Sequence, residues 1–315
     1  MVVALTLNWN QLDDTSECIS SLLAQGVSDL HIVVVDNGST DGSPIVLKQR
    51  FPEITLLANP INLGTTGGNN VGLRWALAAG AESVFIVNND TELEPECLSR
   101  LQAAIRPPDI GGASPLIVYY SQPGMIWASG GCYNRFTLEQ MGERRGQPVP
   151  VHWNDRLERD YLTTCGLLIK RSVLEAIGLF DERFFIYYDD SDLCLRARRV
   201  GFRLLLTPDA RLRHKVSASS GGTDTPRERY LMARGSGLFF RKHTRGLQWL
   251  CVLPWRTASA ARTSIRLIRR RRWDALRAYW CGLQDGWLGP VDQRLDPSVS
   301  VPGRQIINSI SLPDR

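Results

Sequence analysis

The loop at residues 36–43 holds the first residues whose types and spacing could do chemistry. It follows an apolar run, begins with Asp36 and Asn37, and includes Asp41. A carboxylate at the end of a strand can accept hydrogen bonds from the imide of uracil or thymine or from ribose hydroxyls, and the two glycines of the loop let the backbone approach a ligand. The same composition also fits a solvated turn in which Asp and Asn cap the following helix.

A second loop, at residues 59–70, is rich in Gly, Asn and Thr and includes Asn62 and Gly64. It runs into a helical pattern, so its backbone N–H groups and the positive end of the helix dipole would face an anion such as a diphosphate. A flexible connector is the alternative, although a connector need not lead straight into a well-patterned helix.

The stretch Asn88-Asn89-Asp90 directly follows an apolar strand pattern. Asp90 is a hard oxygen ligand, well placed for a divalent cation that bridges two phosphates. Mg²⁺ or Mn²⁺ at this position would neutralise a leaving diphosphate. The alternative is a turn that ends the strand.

Three carboxylates, Asp189, Asp190 and Asp192, fall within four positions at the predicted start of a helix. Clustered carboxylates raise one another's pKa, which can tune one of them into a general base for a hydroxyl proton. Acidic residues also favour the first turn of a helix for electrostatic reasons alone. Downstream, His214 ends a strand-like run, and a lone histidine is more often a packed or surface residue than a ligand.

The elements that must position these residues follow a βαβ pattern. Short β-branched runs alternate with helical patterns through the first hundred residues, which predicts a parallel sheet with its polar loops at the carboxyl ends of the strands. The predicted strands are residues 2–7, 31–35, 54–57 and 83–87, and the predicted helices include one with Asp14 as its N-cap and one at residues 72–79.

This alternation fades after residues 107–108. Residues 111–161 are rich in Gly, Trp and Tyr without a clear period, so we expect long loops or short strands there. Order returns with predicted strands at residues 161–169, 203–206 and 211–214 and predicted helices at residues 171–177 and 190–200.

The bulk composition is that of a globular protein, with 43% hydrophobic and 22% charged residues in a chain of 315. This length allows one large domain plus an appendage. No apolar run of about 18 residues and no basic segment followed by an apolar stretch is present, so we expect a cytoplasmic chain. Seven cysteines occur singly, without CxxC spacing, and are expected to be reduced thiols.

In this order, the motifs resemble those of the family 2 glycosyltransferases, which have the GT-A fold, and particularly its bacterial rhamnosyltransferase-like branch. The resemblance covers about residues 2–240 and rests on four blocks, VDNGSTDGS, NLGTTGGNNVG, NND, and FDERFFIYYDDSDLCLR with a downstream histidine. It implies an α/β fold with a Rossmann-like, mostly parallel central sheet, helices on both faces and a C-terminal helical extension. The implied domains are a catalytic domain at residues 1–240, with a nucleotide-sugar half (1–110) and an acceptor half (111–240), and a basic extension at 241–315.

The resemblance also implies roles for individual residues. Asp190 would be the general base, with Asp189 and Asp192 as alternatives. Asp90 and His214 would bind Mg²⁺ or Mn²⁺, and because the first acid of the family's metal-binding element is an amide here, the site would hold less negative charge. The residues implied to bind the donor nucleotide are Asp36, Asn37, Asp41, Asn62, Gly64, Asn88 and Asn89. Those implied to border the acceptor are Thr164, Cys165, Gly166 and Asp192.

The implied reaction is a single in-line displacement with inversion, in which Asp190 deprotonates the acceptor hydroxyl and a cation stabilises the departing diphosphate. The donor would be dTDP-L-rhamnose or a UDP-hexose, and the acceptor a glycan, a lipid-linked or a natural-product hydroxyl, in the assembly of a cell-surface polysaccharide. A catalytically impaired nucleotide-sugar-binding module is the alternative. A nucleotidyltransferase or a dinucleotide-binding dehydrogenase is disfavoured, because neither a Gly-rich loop carrying Arg and Lys nor G-x-G-x-x-G follows the first strand.

Tryptophans and arginines are concentrated at residues 247–287, which include the run Arg269-Arg270-Arg271-Arg272. Aromatic rings and arginines on helices suit an interfacial anchor, so we expect the extension to bind an anionic membrane surface, peripherally on the inner face of the plasma membrane. The alternative is a helical extension whose arginines are solvated or pair with a partner chain. The sequence leaves a homodimer open and predicts no nucleic-acid partner.

Overall fold

The computed structural model describes residues 1–151, 153, 155–216 and 224–290. These residues form two compact units. The first, called the sheet unit, comprises Met1–Tyr133, Gln140–Asp181 and Asp190–Val216. The second, called the helical unit, comprises Asn134–Glu139, Glu182–Asp189 and the described residues from 224 onward. The domain division expected at residue 240 stays a prediction, and residues 291–315 of the expected extension lie outside the described residues.

Strands and helices alternate through the first part of the chain, as predicted. The strands are β1 (Val2–Asn8), β2 (Leu30–Asp36), β3 (Thr55–Ala58), β4 (Ser83–Val87), β5 (Thr91–Leu93), β6 (Ile110–Tyr119), β7 (Ile126–Ala128), β8 (Cys132–Tyr133), β9 (Gln140–Met141), β10 (Leu157–Arg159), β11 (Gly166–Lys170) and β12 (Arg203–His214). The helices are α1 (Leu12–Leu23), α2 (Ser43–Arg50), α3 (Gly64–Ala78), α4 (Cys97–Ala104), α5 (Arg171–Ile177), α6 (Asp189–Arg199), α7 (Pro226–His243), α8 (Trp249–Arg269) and α9 (Trp273–Leu288).

The sheet unit is built on a ten-stranded sheet with the order β10-β12-β6-β11-β4-β1-β2-β3, in which β5 also pairs with β12 and β7 with β6. β1 runs parallel to β2 and β4, and β2 runs parallel to β3. β11 is antiparallel to β4 and β6, whereas β6 and β12 are parallel. The carboxyl ends of β1, β2 and β4 therefore meet at one edge of the sheet, where open α/β sheets bind ligands.

Two apolar layers cover the two faces of this sheet. Along β1, Val2 and Ala4 lie in one layer with α1, α2 and α4, whereas Val3 and Leu5 lie in the other with α3, α5 and α6. Successive side chains of a strand point to opposite faces, and strands covered on both faces are apolar throughout. The expected mostly parallel sheet with helices on both faces is confirmed.

Helix α3 begins at Gly64, not at residue 72, so the expected Gly/Asn-rich loop mostly forms its first turns. Gly and Asn are weak helix formers, which is why the sequence predicted a later start. Packing outweighs this propensity. A Cβ on Gly72 would lie 2.1 Å from Leu5 Cδ1, so the glycine lets the helix lie close to β1, and Asn70 Nδ2 donates to Phe180 O at 2.9 Å.

The starts of two other elements also differ from the prediction. α1 begins at Leu12, so Asp14 lies in its first turn and is not its N-cap. Gln11 occupies the N-cap position without a side-chain hydrogen bond to the helix. β11 begins at Gly166 and not at residue 161. The predicted bounds of α5 are confirmed, and α6 begins and ends one residue before its predicted bounds.

Two long strands were not predicted as such. β6 has ten residues, nine of them buried, within the segment expected to hold loops or short strands. Gly111, Gly112 and Pro115 are atypical of strands, so the residue propensities of this segment do not indicate a strand. β12 is a single strand where two were expected, and its pairing with β6 shifts register between Thr207 and Arg211, around a proline that cannot donate to the ladder.

In the helical unit, α7 and α9 pack through glycines. A Cβ on Gly237 would lie 2.7 Å from Gly286 C, and a Cβ on Gly282 would lie 2.3 Å from Tyr230 O. Side chains at the contact set the distance between packed helices, so glycines allow the closest approach. Among the described helices, none combines the length and the apolar character needed to cross a bilayer.

Candidate active site

Asp36 ends β2 and is 2% exposed. Asn8, the last residue of β1, donates from Nδ2 to Asp36 Oδ1 at 2.8 Å, and the Ser39 N–H donates to Oδ2 at 3.0 Å. Asn8 Oδ1 in turn accepts from Thr15 Oγ1 at 2.8 Å. This network holds the carboxylate in one orientation, and its remaining lone pairs can accept from a ligand. The structure thus places a fixed acceptor where the nucleoside role of Asp36 was predicted.

Asn37 fastens the Gly/Asn-rich segment to the end of β2. Its Nδ2 donates to Asn62 Oδ1 and to Gly64 O, both at 3.0 Å. Its Oδ1 accepts from Asn59 Nδ2 at 3.1 Å and from the Leu63 N–H at 3.0 Å. Since an asparagine side chain has two donors and two acceptor positions, Asn37 uses its whole capacity to shape the loop in which Asn62 and Gly64 lie.

The turn after β2 depends on glycine. Gly38 has φ +79°, and a Cβ on it would lie 2.7 Å from Ile61 C, so this position excludes any side chain. Asp41, further along the turn, is exposed, and its Oδ1 accepts from the Ser43 N–H at 3.0 Å at the start of α2. Asp41 therefore makes a local capping contact, and its role toward the nucleotide stays a prediction.

Asn88 and Asn89 lie just beyond β4. Asn88 is exposed, and its N–H donates to Cys165 O at 3.1 Å. Asn89 Nδ2 donates to Gln11 Oε1 at 3.0 Å and to Thr15 Oγ1 at 2.9 Å. Asn89 therefore ties this turn to the start of α1, while the Asn88 side chain faces solvent.

Asp90 and His214 form a buried pair. Asp90 Oδ1 lies 3.0 Å from His214 Nε2, and the two residues are 6% and 5% exposed. The Lys215 N–H donates to Asp90 O at 2.9 Å, so the pairing of β5 with β12 fixes the backbone of both residues. His214 Nδ1 is buried without a hydrogen-bond partner in the described part of the chain, and the Trp127 ring meets His214 edge-on with centroids 4.2 Å apart.

The donor chemistry of the Asp90–His214 pair fits a divalent cation. Carboxylate oxygen suits both Mg²⁺ and Mn²⁺, and the imidazole of histidine is a common metal ligand in proteins. Within the described ranges there is no group of three or more His, Cys, Asp or Glu side chains that could hold a metal ion. A cation bound here would therefore take most of its ligands from a diphosphate and from water, as Mg²⁺ often does.

The three carboxylates of α6 have different surroundings. Asp190 is partly buried, and its Oδ1 accepts from the Ser191 N–H at 2.7 Å. Burial raises the pKa of Asp190 despite its hydrogen bonds. Asp192 is fully buried, and its Oδ2 accepts from Arg196 Nε at 2.8 Å. Asp189 is buried at the first position of the helix. The raised pKa of Asp190 is the kind of perturbation that a general base needs.

Cys165 marks the place where these groups meet. Thr164 and Cys165 are buried just before β11, whose first residue, Gly166, is opposite the last residue of β4. Burial raises the pKa of the Cys165 thiol well above its usual value, and the negative charges of Asp90 and Asp190 raise it further. The Asn88 N–H, two residues before Asp90, donates to Cys165 O at 3.1 Å, and the Leu162 N–H, three residues before Cys165, donates to Cys194 Sγ of α6 at 3.4 Å. These bonds and the two charges acting on the thiol bring the predicted metal-binding acid and the predicted base to one region of the sheet unit.

Comparison with known proteins identifies the family. Residues 5–178 of the chain match Glycosyl transferase family 2. The chain belongs to this family. It is therefore a glycosyltransferase, as the resemblance of its motifs predicted.

Two relatives of this glycosyltransferase resemble it over most of their length. The chain is 29% identical over 290 residues to the N-acetylglucosaminyl-diphospho-decaprenol L-rhamnosyltransferase of Mycobacterium tuberculosis, which covers 81% of this chain and 91% of that protein. It is 23% identical to the dTDP-rhamnosyl transferase RfbF of Shigella flexneri, over 77% of this chain and 80% of that protein. The rhamnosyltransferase-like resemblance is confirmed.

A solved structure shows the same fold. The mannosyltransferase PcManGT from Pyrobaculum calidifontis, in complex with GDP-Man and Mn²⁺, matches with a TM-score of 0.58 at 18% identity, over 91% of this chain and 87% of that one. The expected GT-A fold of this family 2 member is confirmed.

Sequence reasoning missed several residues that lie beside the candidate site. Burial raises the pKa of Glu143, Arg145 opposes this shift, and the charge of Asp190 adds to it. Burial, and after it the charges of Glu143 and Asp190, raise the pKa of Tyr161, and the Arg145 guanidinium lies 4.7 Å from the centroid of the Trp127 ring. All four missed residues belong to the segment without a period, where only the abundance of Trp and Tyr gave any signal.

Asn8, Gln11 and Thr15 were also missed, although a signal existed. Asn8 is a polar residue at the carboxyl end of an apolar strand, the position where open α/β sheets bind ligands. Its fully buried amide connects Asp36 to Thr15. The position of a polar residue relative to the strand end would have pointed to it.

Proposed function

We propose that this glycosyltransferase moves L-rhamnose from dTDP-L-rhamnose to a hydroxyl of a lipid-linked glycan acceptor, with inversion at the anomeric carbon. The observation that carries the proposal is the convergence of the Asp90–His214 pair and Asp190 on Cys165, beyond the carboxyl end of β4. The relatives support the sugar, since both names describe rhamnosyl transfer, and the mycobacterial name supports an acceptor linked through diphosphate to decaprenol.

The donor would lie across the carboxyl ends of β1, β2 and β4. Asp36 would accept hydrogen bonds from the base or the ribose, since its orientation is fixed by Asn8 and Ser39. At the start of α3 the Gly64 N–H donates to Asn62 Oδ1 at 2.8 Å, and the N–H groups that follow it in the first turn have no partner within the helix. Together with the positive end of the helix dipole they favour a diphosphate.

Asp190 would take the acceptor proton. A general base must be ionised at the operating pH yet basic enough to accept a proton, and the raised pKa of Asp190 moves it toward that balance. As the acceptor oxygen forms its bond to the anomeric carbon, the bond from that carbon to the diphosphate oxygen breaks on the opposite face, which inverts the configuration. Asp90 and His214 would hold Mg²⁺ or Mn²⁺, whose charge would stabilise the departing diphosphate.

The proposal is tested by turnover with defined substrates. Protein is incubated with Mn²⁺, a short-chain polyprenyl-diphosphate N-acetylglucosamine, and either dTDP-L-rhamnose or a UDP-hexose, and product is measured by mass spectrometry. We expect a rhamnosylated lipid and released dTDP, with loss of turnover on chelation of the metal. Turnover with a UDP-hexose alone would overturn the assigned donor, and nucleotide binding without turnover of any donor would favour the impaired binding module.

A membrane surface as the source of the acceptor is part of the proposal, and helix α8 supports it. Its exposed apolar residues recur at helical spacing along one face, at Leu250, Leu253, Ile265 and Ile268. The positions between them on this face, Thr257 and residues 258, 261 and 264, are also uncharged. The uncharged face runs the length of a helix of 21 residues. Such a face suits a helix that lies in the plane of a membrane.

The arginines beside this face are partly engaged within the protein. Arg270 Nη1 lies 2.8 Å from Asp224 Oδ2, and Arg266 Nη2 lies 3.3 Å from Asp224 Oδ1. The run 269–272 is therefore not wholly available to lipid headgroups. Arg262, stacked over Trp255 at 5.2 Å, and the exposed Arg269 border the uncharged face, and they would contact anionic headgroups.

Vesicle pelleting tests the membrane surface. We expect the protein to pellet with vesicles that contain phosphatidylglycerol and much less with pure phosphatidylcholine, in a salt-sensitive manner. Replacing Leu250→Glu together with Ile265→Glu should abolish pelleting. Ile45→Glu, at an exposed position of α2 in the sheet unit, is the matched control and should pellet normally. Wild-type protein that stays in the supernatant at low salt would refute this part of the proposal.

A further inference from the structure

Four side chains of the sheet unit form a continuous column beside the site. The Arg145 guanidinium carbon lies 4.7 Å from the centroid of the Trp127 ring. The Trp127 ring meets the His214 ring edge-on, with centroids 4.2 Å apart, and His214 Nε2 lies 3.0 Å from Asp90 Oδ1. A single aromatic ring therefore separates the Arg145 cation from the pair expected to bind a metal ion.

The backbone fixes Arg145 at this place. The Gly146 N–H donates to Ile126 O at 2.8 Å, and the Ile126 N–H donates to Gln147 O at 2.9 Å. The preceding Arg144 N–H donates to Ser129 Oγ at 3.1 Å. Residues on both sides of Arg145 are thus bonded to β7 and the residue after it, and β7 is the strand that carries Trp127. The stacking of Arg145 on Trp127 follows from this register and not from a chance contact of a surface side chain.

The guanidinium of Arg145 remains available to a ligand. Its one ion pair in the described part of the chain is with Glu143, at 3.7 Å, and its side chain is 52% exposed. Its side chain donates no hydrogen bond to any other described residue. Its charge nevertheless reaches the site, because it opposes the effect of Asp90 and Asp190 on the pKa of the Cys165 thiol.

We propose that Arg145, supported by Trp127, binds the diphosphate of the donor next to the Asp90–His214 pair; this inference rests on the proposed function. Residues 88–90 supply one carboxylate and two amides, so a cation held there gains little charge from the protein. The planar guanidinium fork can bond two phosphate oxygens at once, and stacking on an aromatic ring orients it. Arg145 thus adds a fixed positive charge where the leaving group collects negative charge.

Calorimetric titration with dTDP, UDP and thymidine tests the inference without any need for turnover. In Arg145→Gln, which removes the charge and keeps much of the side chain, we expect dTDP to bind about 10- to 100-fold more weakly than in the wild type, the range for a lost charge-assisted hydrogen bond. Thymidine lacks the diphosphate, so its affinity should not change. Arg145→Lys should recover part of the loss, and the melting temperature of both variants should stay at the wild-type value.

Arg144→Gln is the matched control. Arg144 is the neighbouring arginine and stacks over a different ring, Trp153, at 5.0 Å, so its replacement should leave the dTDP affinity unchanged. Equal dTDP affinity in Arg145→Gln and the wild type would overturn this inference and leave the proposed function standing. An equal loss of affinity for dTDP and thymidine would also overturn it, because that result would show that the substitution distorts the nucleoside pocket and does not act on the diphosphate. Wild-type protein that binds neither dTDP nor UDP would overturn both the inference and the proposed function.

Discussion

The two sides of the site both follow strand ends, yet they are built differently. On the nucleoside side (Asn8, Thr15, Asp36, Asn37 and residues 59–64), amides, hydroxyls and one carboxylate bond one another. On the transfer side (Asp90, Cys165, Asp190 and His214), His214 Nδ1 has no hydrogen-bond partner among the described residues. The pKa values of Asp190 and Cys165 are raised. Satisfied polar groups give a fixed shape, whereas perturbed groups are typical of places where chemistry occurs.

This difference predicts two kinds of response to substitution. On the transfer side, replacing Asp190 should lower kcat and leave the fold intact, because burial disfavours its charged form. Changes on the nucleoside side should lower stability and donor affinity together, because each of its side chains holds another in place.

The largest effect is expected from Asp190→Asn. Asparagine keeps the size of the side chain but cannot accept a proton, so kcat should fall about 10²- to 10⁴-fold, the usual contribution of a general base. The dissociation constant for dTDP, measured by titration, should stay near its wild-type value. Full turnover in this variant would remove Asp190 from the role and direct attention to Asp189.

Asp192→Asn is the matched comparison on the same helix. Asp192 is fully buried and bonded to Arg196, so the substitution leaves a partly buried guanidinium without its carboxylate. We expect a loss of about 1–3 kcal/mol in the free energy of unfolding, measured by denaturant titration. A variant of wild-type stability that turns over poorly would instead support the acceptor contact predicted for Asp192 from the sequence.

The same contrast explains what the sequence could predict. Asp36, Asp90 and Asp190 each follow or begin a periodic element, so strand ends and a helix start located them. Arg145 and Trp127 could not be found, because their stacking depends on the pairing of an irregular segment with β7. Such contacts between residues distant in the sequence have no period.

For the fold, the apolar runs of β1, β2 and β4 were recognisable because both faces of the sheet are covered there. β6 was missed since its glycines and its proline weaken the strand signal, although nine of its ten residues are buried. The start of α3 was missed for a related reason. Its glycines serve close packing on β1, at Gly72 against Leu5, and tertiary packing overrode their low helix propensity.

A smaller effect, on the nucleoside side, is expected from Gly38→Ala. Gly38 has φ +79°, and a Cβ would lie 2.7 Å from the backbone of Ile61. Strain of this kind costs about 1–3 kcal/mol, so the melting temperature and the dTDP affinity should both fall.

Gly42→Ala is the control in the same turn. Gly42 has φ +77°, but nothing lies within 4 Å of its Cβ position, so this variant carries the backbone strain without the clash. The difference between the two variants therefore isolates the contact with residues 61–62. Equal effects in both would mean that the close approach to Ile61 does not shape the donor site.

The smallest effect is a gain in stability for Asp190→Asn near neutral pH. Because the pKa of Asp190 is raised in the native state, its ionisation costs more in the folded than in the unfolded protein. This cost is absent below the ordinary aspartate pKa, grows as the pH rises from that value to the raised pKa, and is constant above it. Asparagine avoids it and also relieves Glu143, whose pKa the charge of Asp190 raises. The melting temperature of the variant should therefore be higher than that of the wild type at about pH 7, and the two should converge below about pH 4.

A variant that melts below the wild type at pH 7 would show that the hydrogen bonds of the carboxylate to Ser191 outweigh its burial, and that the transfer side is optimised for stability after all.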